Sequence, residues 1–140
     1  MKARFETTEA VYDWINERLP EGVVWRKGWV PPTGITVTDD RGKELLCAVI
    51  YHDMSVDVAY VGWIAGNPAN TAKETEDALE AVIGNLDDYC RMYGVEHLIA
   101  ASGHKGIQKK FERAGFGCGD ETVRHFYRWM GGPGNGLKRN

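Results

Sequence analysis

Apolar residues recur at helical spacing from Thr7 to Leu19, where Ala10, Val11, Trp14, Ile15 and Leu19 form one stripe and Pro20 stops it. The pattern predicts an amphipathic first helix with one face to bury on a sheet. An irregular stretch rich in Trp, Gly and Pro follows (Trp25, Gly28, Trp29, Pro31, Pro32). The period then changes. Gly34 to Thr38 alternates apolar and polar residues as a strand does, Asp39-Asp40-Arg41-Gly42 is turn chemistry, and Glu44 to His52 resumes as a second strand. The two strands form an antiparallel hairpin, and a third runs from about Ser55 to Ala65.

Gly66-Asn67-Pro68-Ala69-Asn70 breaks that strand. Beyond it Ala78, Leu79, Val82, Ile83, Leu86, Tyr89, Cys90 and Tyr93 repeat every 3.6 residues, the signature of a long helix. Thr71 with Glu74 three residues on makes a capping box at its start, and Gly94 is placed for a left-handed stop. Val95 to Ala101 reads as a buried strand returning parallel to its predecessor, through a right-handed crossover. His104 to Ala114 predicts a shorter helix with Ile107 and Phe111 inward, ended by Gly115, and Thr122 to Met130 predicts a closing strand. The result is an α/β chain with a single domain over residues 1–130 and a glycine-rich, flexible tail over 131–140.

Composition narrows the class without naming a function. A chain of 140 residues, 43% hydrophobic and 26% charged, suits one globular core. No apolar run approaches the roughly 20 residues of a membrane helix, and the first residues lack the apolar centre of a signal peptide. We therefore expect a cytoplasmic protein with no membrane partner. Three widely spaced cysteines, Cys47, Cys90 and Cys118, imply free thiols and not a disulfide framework. The net charge of −3 gives no general attraction to nucleic acid, but its distribution is uneven. Acids dominate Lys73 to Asp88, whereas Lys105, Lys109, Lys110, Arg113, Arg124 and Arg128 dominate the later segment.

Candidate chemistry is sparse. Tyr51, His52 and Asp53, with Asp57 close behind, bring an acid, a base and an orienting carboxylate to a turn between strands. His125 and Tyr127 would share one face of the last strand. No pair of histidines has metal-site spacing, so no metal is expected. The basic helix around Lys105 and Lys109 is expected to be a solvated face, and nucleic-acid binding would show itself by strong salt dependence.

The element order and the string Phe111-Glu112-Arg113-Ala114-Gly115-Phe116 resemble the GNAT superfamily of N-acetyltransferases, whose short helix opens with Asn and closes with Tyr-Glu-Lys-x-Gly-Phe. The resemblance implies a mixed, mostly antiparallel sheet flanked by helices, with a splayed parallel strand pair near its centre. It also implies acetyl-CoA as cofactor and transfer of an acetyl group to an amine, small-molecule or protein. The thioester carbonyl would lie against Trp63, Ile64 and Ala65, and the pantetheine arm between that strand and the one ending at Ser102. His104, in the place of the Asn, would contact the coenzyme or supply a proton; Tyr51, His52 and Asp57 complete the catalytic candidates.

Two departures cut against the family pattern. Thr71, Glu74 and Glu76 stand where the family's basic or amide residue and two glycines would receive the pyrophosphate, leaving Thr71 and Lys73 to contact it. Carboxylates there repel phosphate. Phe111 replaces the Tyr that supplies a proton to the leaving thiolate. A second reading therefore stands beside the enzyme: a cofactor-free GNAT-like binding or assembly module with a protein partner. It resembles the short GNAT-like proteins of tailed bacteriophages, which include virion components. Either could be a homo-oligomer.

Overall fold

The computed structural model describes residues 1–6, 8–19, 21–22, 31, 33–53, 55–102 and 104–118. In chain order these form β1 (Lys2–Glu6), α1 (Thr8–Arg18), β2 (Thr33–Thr38), β3 (Glu44–His52), β4 (Val58–Gly66), α2 (Ala72–Tyr93), β5 (His97–Ala100) and α3 (Lys105–Arg113). The expected strand from Thr122 to Met130, the glycine-rich tail, His125, Tyr127 and the Trp25 and Trp29 region lie outside the described residues.

The strands form one sheet in the order β1-β2-β3-β4-β5. All neighbours are antiparallel except β4 and β5, which run parallel, as the crossover through α2 requires. Alternation along β3 then divides the core in two. Leu46, Ala48 and Ile50 point to one face, where they meet Ala78, Leu79, Val82, Ile83 and Leu86 of α2. Cys47 and Val49 point to the other, under Val11, Trp14 and Ile15 of α1. Each fully buried aliphatic side chain contributes about 1.5–3 kcal/mol relative to exposure, so burial on these two faces dominates the stability.

The long helix starts and stops where its sequence says. Thr71 Oγ1 accepts the Glu74 N–H at 3.2 Å, while Glu74 Oε2 accepts the Thr71 N–H at 2.7 Å. Gly94 closes the other end at φ 68°, a left-handed conformation that costs glycine little. The sequence reading did not anticipate β1. Three of its five residues, Lys2, Arg4 and Glu6, are charged, and the strand is held as a mostly exposed edge by pairing Lys2 through Glu6 with Thr38 back to Gly34. β4 begins three residues later than the sequence suggests, because Asp53 accepts the Ser55 N–H at 2.9 Å and the Val56 N–H at 3.0 Å and so folds a turn.

Candidate functional site

Strand β4 changes character halfway along. Val58 to Val61 pair with His97 to Ala100 of β5, and there the parallel pairing ends. β4 continues to Gly66 while β5 has finished, so among the described residues the stretch from Gly62 to Gly66 has no strand partner on the β5 side. On its other side the same segment is bulged. Val49 pairs with Gly62 and Cys47 with Ala65, so two steps along β3 match three along β4. Trp63 absorbs the extra residue at φ 50°, a left-handed backbone at a bulky side chain that costs on the order of 1–3 kcal/mol.

The bulge resets which side chains face which helix. Trp63 and Ala65 pack with the α1 cluster, and Ile64 with the α2 cluster. Gly62 precedes Trp63, and a Cβ on it would come within 2.9 Å of the Tyr60 ring, so a side chain there would push that exposed ring aside. Bulges re-aim backbone groups out of the ladder, and a re-aimed N–H is what a carbonyl oxygen gaining negative charge needs.

A cavity of about 470 Å³ opens on the α1 side of this bulge. It is lined by Ile15, Glu17, Arg18 and Leu19 from the last turns of α1, by Trp63 to Gly66, and by Pro68. The Arg18 guanidinium stacks 4.3 Å over the Trp14 ring and donates through Nη1 to the Trp14 carbonyl at 3.0 Å. Glu17 approaches the same Nη1 at 3.6 Å. The Arg18 Nε is buried without an acceptor among the described residues. Beneath the bulge, opposite Ala65, burial pushes the Cys47 thiol up to about 12, which keeps it protonated and inert.

The start of α2 is built differently. The Glu74 carboxylate accepts the Thr71 N–H and also binds Lys43 Nζ at 3.0 Å. These two contacts, the backbone bond first, hold Glu74 below the usual carboxylate range. Lys73 does not fold back over the turn; its ammonium bonds both oxygens of Asp77 at 3.0 Å. Glu76 and Glu80 face α3, where Lys110 reaches them at 3.5 and 3.4 Å and Arg113 reaches Glu76 at 3.8 Å. The acidic stretch of α2 and the basic stretch of α3 therefore largely neutralise each other.

The remaining sequence candidates are dispersed. His104 caps α3, its Nδ1 accepting the Ile107 N–H at 3.4 Å, and its own N–H bonds Ser102 Oγ at 3.1 Å. That bond leaves the proton of a neutral ring on Nε2. Ser102 thus ties β5 to α3, since its carbonyl also accepts from Gln108 Nε2 at 2.6 Å. His52 is held at both nitrogens, by the Tyr89 hydroxyl at 3.0 Å and the Val56 carbonyl at 3.1 Å. Asp57 is exposed, and its carbonyl accepts the N–H groups of Glu96 and His97, which starts β5. Tyr51 pairs with Tyr60 on the α1 face, their rings 6.0 Å apart. The structure gathers Trp63, Ile64 and Ala65 at the bulge but does not bring His52 or Asp57 there. Glu17, Arg18 and Lys43 were not anticipated. A charged pair ending a helix is an ordinary sequence feature, and only packing puts this one beside β4.

Among the described residues no group of three or more His, Cys, Asp or Glu could hold a metal, and no helix is long and apolar enough to cross a membrane. No family model matches the sequence, and no curated protein matches it at the level of sequence. Solved structures do match the fold. A crystal structure described as a probable acetyltransferase superposes with a TM-score of 0.60 at 14% identity, covering 92% of this chain and 98% of its own. The ribosomal-protein-alanine N-acetyltransferase from Brucella melitensis biovar Abortus 2308 gives 0.57 at 13% identity, covering 92% of this chain and 100% of its own. The aminoglycoside N-acetyltransferase AAC(6′)-Iy, solved in complex with CoA, gives 0.55 at 14% identity over 91% of this chain and 100% of its own. With its five-stranded, mostly antiparallel sheet and its parallel β4–β5 pair, this chain has the fold of the GNAT acetyltransferases.

Proposed function

We propose that this protein is an N-acetyltransferase that takes its acyl group from acetyl-CoA and passes it to an amine held in the cavity beside the β4 bulge. The observation that carries this reading is the coincidence at Trp63 of three features: the end of β4–β5 pairing, the extra residue in β4, and a cavity on the α1 face. None of the three is required to complete the core. Together they supply a stretch of strand without a β5 partner for an extended arm, re-aimed backbone for a carbonyl, and room for a nucleophile.

The residues present fit the thioester end of the cofactor better than its diphosphate end. The stretch from Trp63 to Gly66, mostly half-buried and without a strand partner on the β5 side among the described residues, can hydrogen-bond a pantetheine arm, with Ser102 on the side of β5. At the start of α2 the capping box and Lys43 already satisfy the groups that would otherwise receive phosphate. There the diphosphate would rely on Thr71 and on the exposed Lys73, drawn from Asp77.

When bound, acetyl-CoA supplies a thioester whose carbon–sulfur bond breaks as a carbon–nitrogen bond forms to the amine. The chain's part is to place and to deprotonate. The backbone N–H of Ile64 holds the carbonyl oxygen, that of Ala65 being turned to the Cys47 sulfur. Glu17, at the cavity wall, accepts the proton that the amine must lose. His104 donates a hydrogen bond from Nε2–H to the sulfur, which Phe111 cannot do, and the departing thiolate takes its proton from solvent. Tyr51, His52 and Asp57 are assigned to holding the β3–β4 end of the sheet.

The test is acetyl-CoA-dependent release of free thiol in the presence of an amine panel, beside the melting temperature with and without acetyl-CoA. A rise in melting temperature and amine-dependent thiol release are expected. No shift at millimolar acetyl-CoA would overturn the reading and leave a cofactor-free binding module.

A further inference from the structure

We propose that the acceptor is an amine that also bears a carboxylate on a small apolar body, and that Arg18 is the residue that selects it. The proposal rests on the acetyltransferase reading and names the substrate class of the same cavity.

Arg18 is a cation committed to the cavity wall. Its side chain is only 18% exposed, stacked on Trp14 and tied to the Trp14 carbonyl through Nη1, so the guanidinium cannot swing into solvent without losing both contacts. Glu17 is the nearby opposite charge, and it approaches only this already occupied nitrogen, at 3.6 Å, with a side chain that is 73% exposed. The fork edge containing Nε keeps an unsatisfied donor among the described residues. That donor is enclosed, so the cavity meets the guanidinium through its remaining exposed part, and a cation the protein leaves incompletely matched favours an anionic partner there.

The rest of the wall states what the carboxylate is attached to. Ile15, Leu19 and Trp63 are apolar, so the body between the two charged groups is apolar too. Glu17 and Arg18 stand side by side on α1, which suits an ammonium and a carboxylate a few bonds apart. A polyamine would meet Arg18 as a like charge and is disfavoured.

The experiment measures binding of L-phenylalanine, L-phenylalaninamide and spermidine to the full chain by calorimetry, with and without acetyl-CoA, and then transfer to each. We expect L-phenylalanine to bind at least tenfold tighter than its amide, and spermidine not to bind. Arg18→Gln should remove that discrimination by weakening L-phenylalanine alone, and Arg18→Lys should restore part of it. In the transfer assay the Arg18→Gln loss should fall on KM, with kcat nearly unchanged. Equal affinity for acid and amide, no binding of either, or equal loss of both in Arg18→Gln would overturn the proposal. Circular dichroism of each variant identifies a folding defect, in which case Leu19→Glu provides the second test. It sets a carboxylate against the bound one and should exclude L-phenylalanine more than its amide; equal exclusion would overturn the proposal. Because binding is read without acetyl-CoA, a failure of acetyl-CoA to bind rejects the acetyltransferase reading separately.

Discussion

The bulge of β4 and the first turn of α2 are both places where backbone N–H groups leave regular pairing, and the protein treats them in opposite ways. At the bulge it accepts a strained Trp63 and leaves a cavity. At the helix start it closes the turn with its own Thr71 and Glu74 and clamps the carboxylate with Lys43. The difference teaches where the site's binding energy lies. On the proposed reading the bulge is the end that receives the ligand, whereas the start of α2 is already satisfied from within.

Removing the bulge should break the comparison most severely. Deleting Trp63 joins Gly62 to Ile64 and restores strict alternation along β4, so the sheet can still pair while the re-aimed backbone is lost. We expect transfer to fall about 100-fold or more, which corresponds to about 2.7 kcal/mol of transition-state stabilisation, with a cooperative melt retained. Unchanged turnover would show that the bulge is not the acyl site.

The floor under the bulge gives the next largest effect. The Cys47 thiol is raised in the folded protein, so the fold binds that proton more tightly than the unfolded chain does. The stability it reports is present below about pH 8.5 and is lost as pH rises toward 12, by roughly 1–2 kcal/mol at pH 10. Urea melts of wild type and Cys47→Ala between pH 7 and 10 should diverge in this direction. Labelling of native Cys47 by a thiol reagent at pH 8 should be slow, and rapid labelling would show that the bulge is open from below.

Opening the phosphate end should narrow the contrast between the two regions. Glu74→Gln removes the charge while leaving a side chain that can still cap, and acetyl-CoA should then bind about tenfold tighter, as titration calorimetry will show. Unaltered affinity would mean that the diphosphate does not approach α2 at all. The smallest effect belongs to the cap. Thr71→Ala should cost about 1 kcal/mol in chemical denaturation, without altering acceptor selection.

Much of the frame was legible from local pattern, because helix stripes, capping boxes and turn chemistry act over a few residues. Thr71, Glu74 and Gly94 could be placed from sequence and stand at the ends of α2 as expected. His104 was placed at the mouth of α3 for the same reason, and it caps that helix. The edge strand β1 was not legible, since its charged residues hide the alternation and only its pairing with β2 holds it. The site was less legible still. Trp63, Ile64 and Ala65 were marked by resemblance, but the slip that makes them a bulge is a relation between two strands.

By itself the sequence determined the kind and order of the elements and the acidic character of the first turn of α2. Tertiary structure alone decided that Glu74 would be neutralised by Lys43, thirty-one residues earlier, and Glu76 by Lys110 and Arg113 on α3. It also decided that Arg18 would stand beside β4. The physical reason is range: propensity and capping are fixed within a turn, whereas charge pairing and cavity walls depend on which distant residues packing brings together.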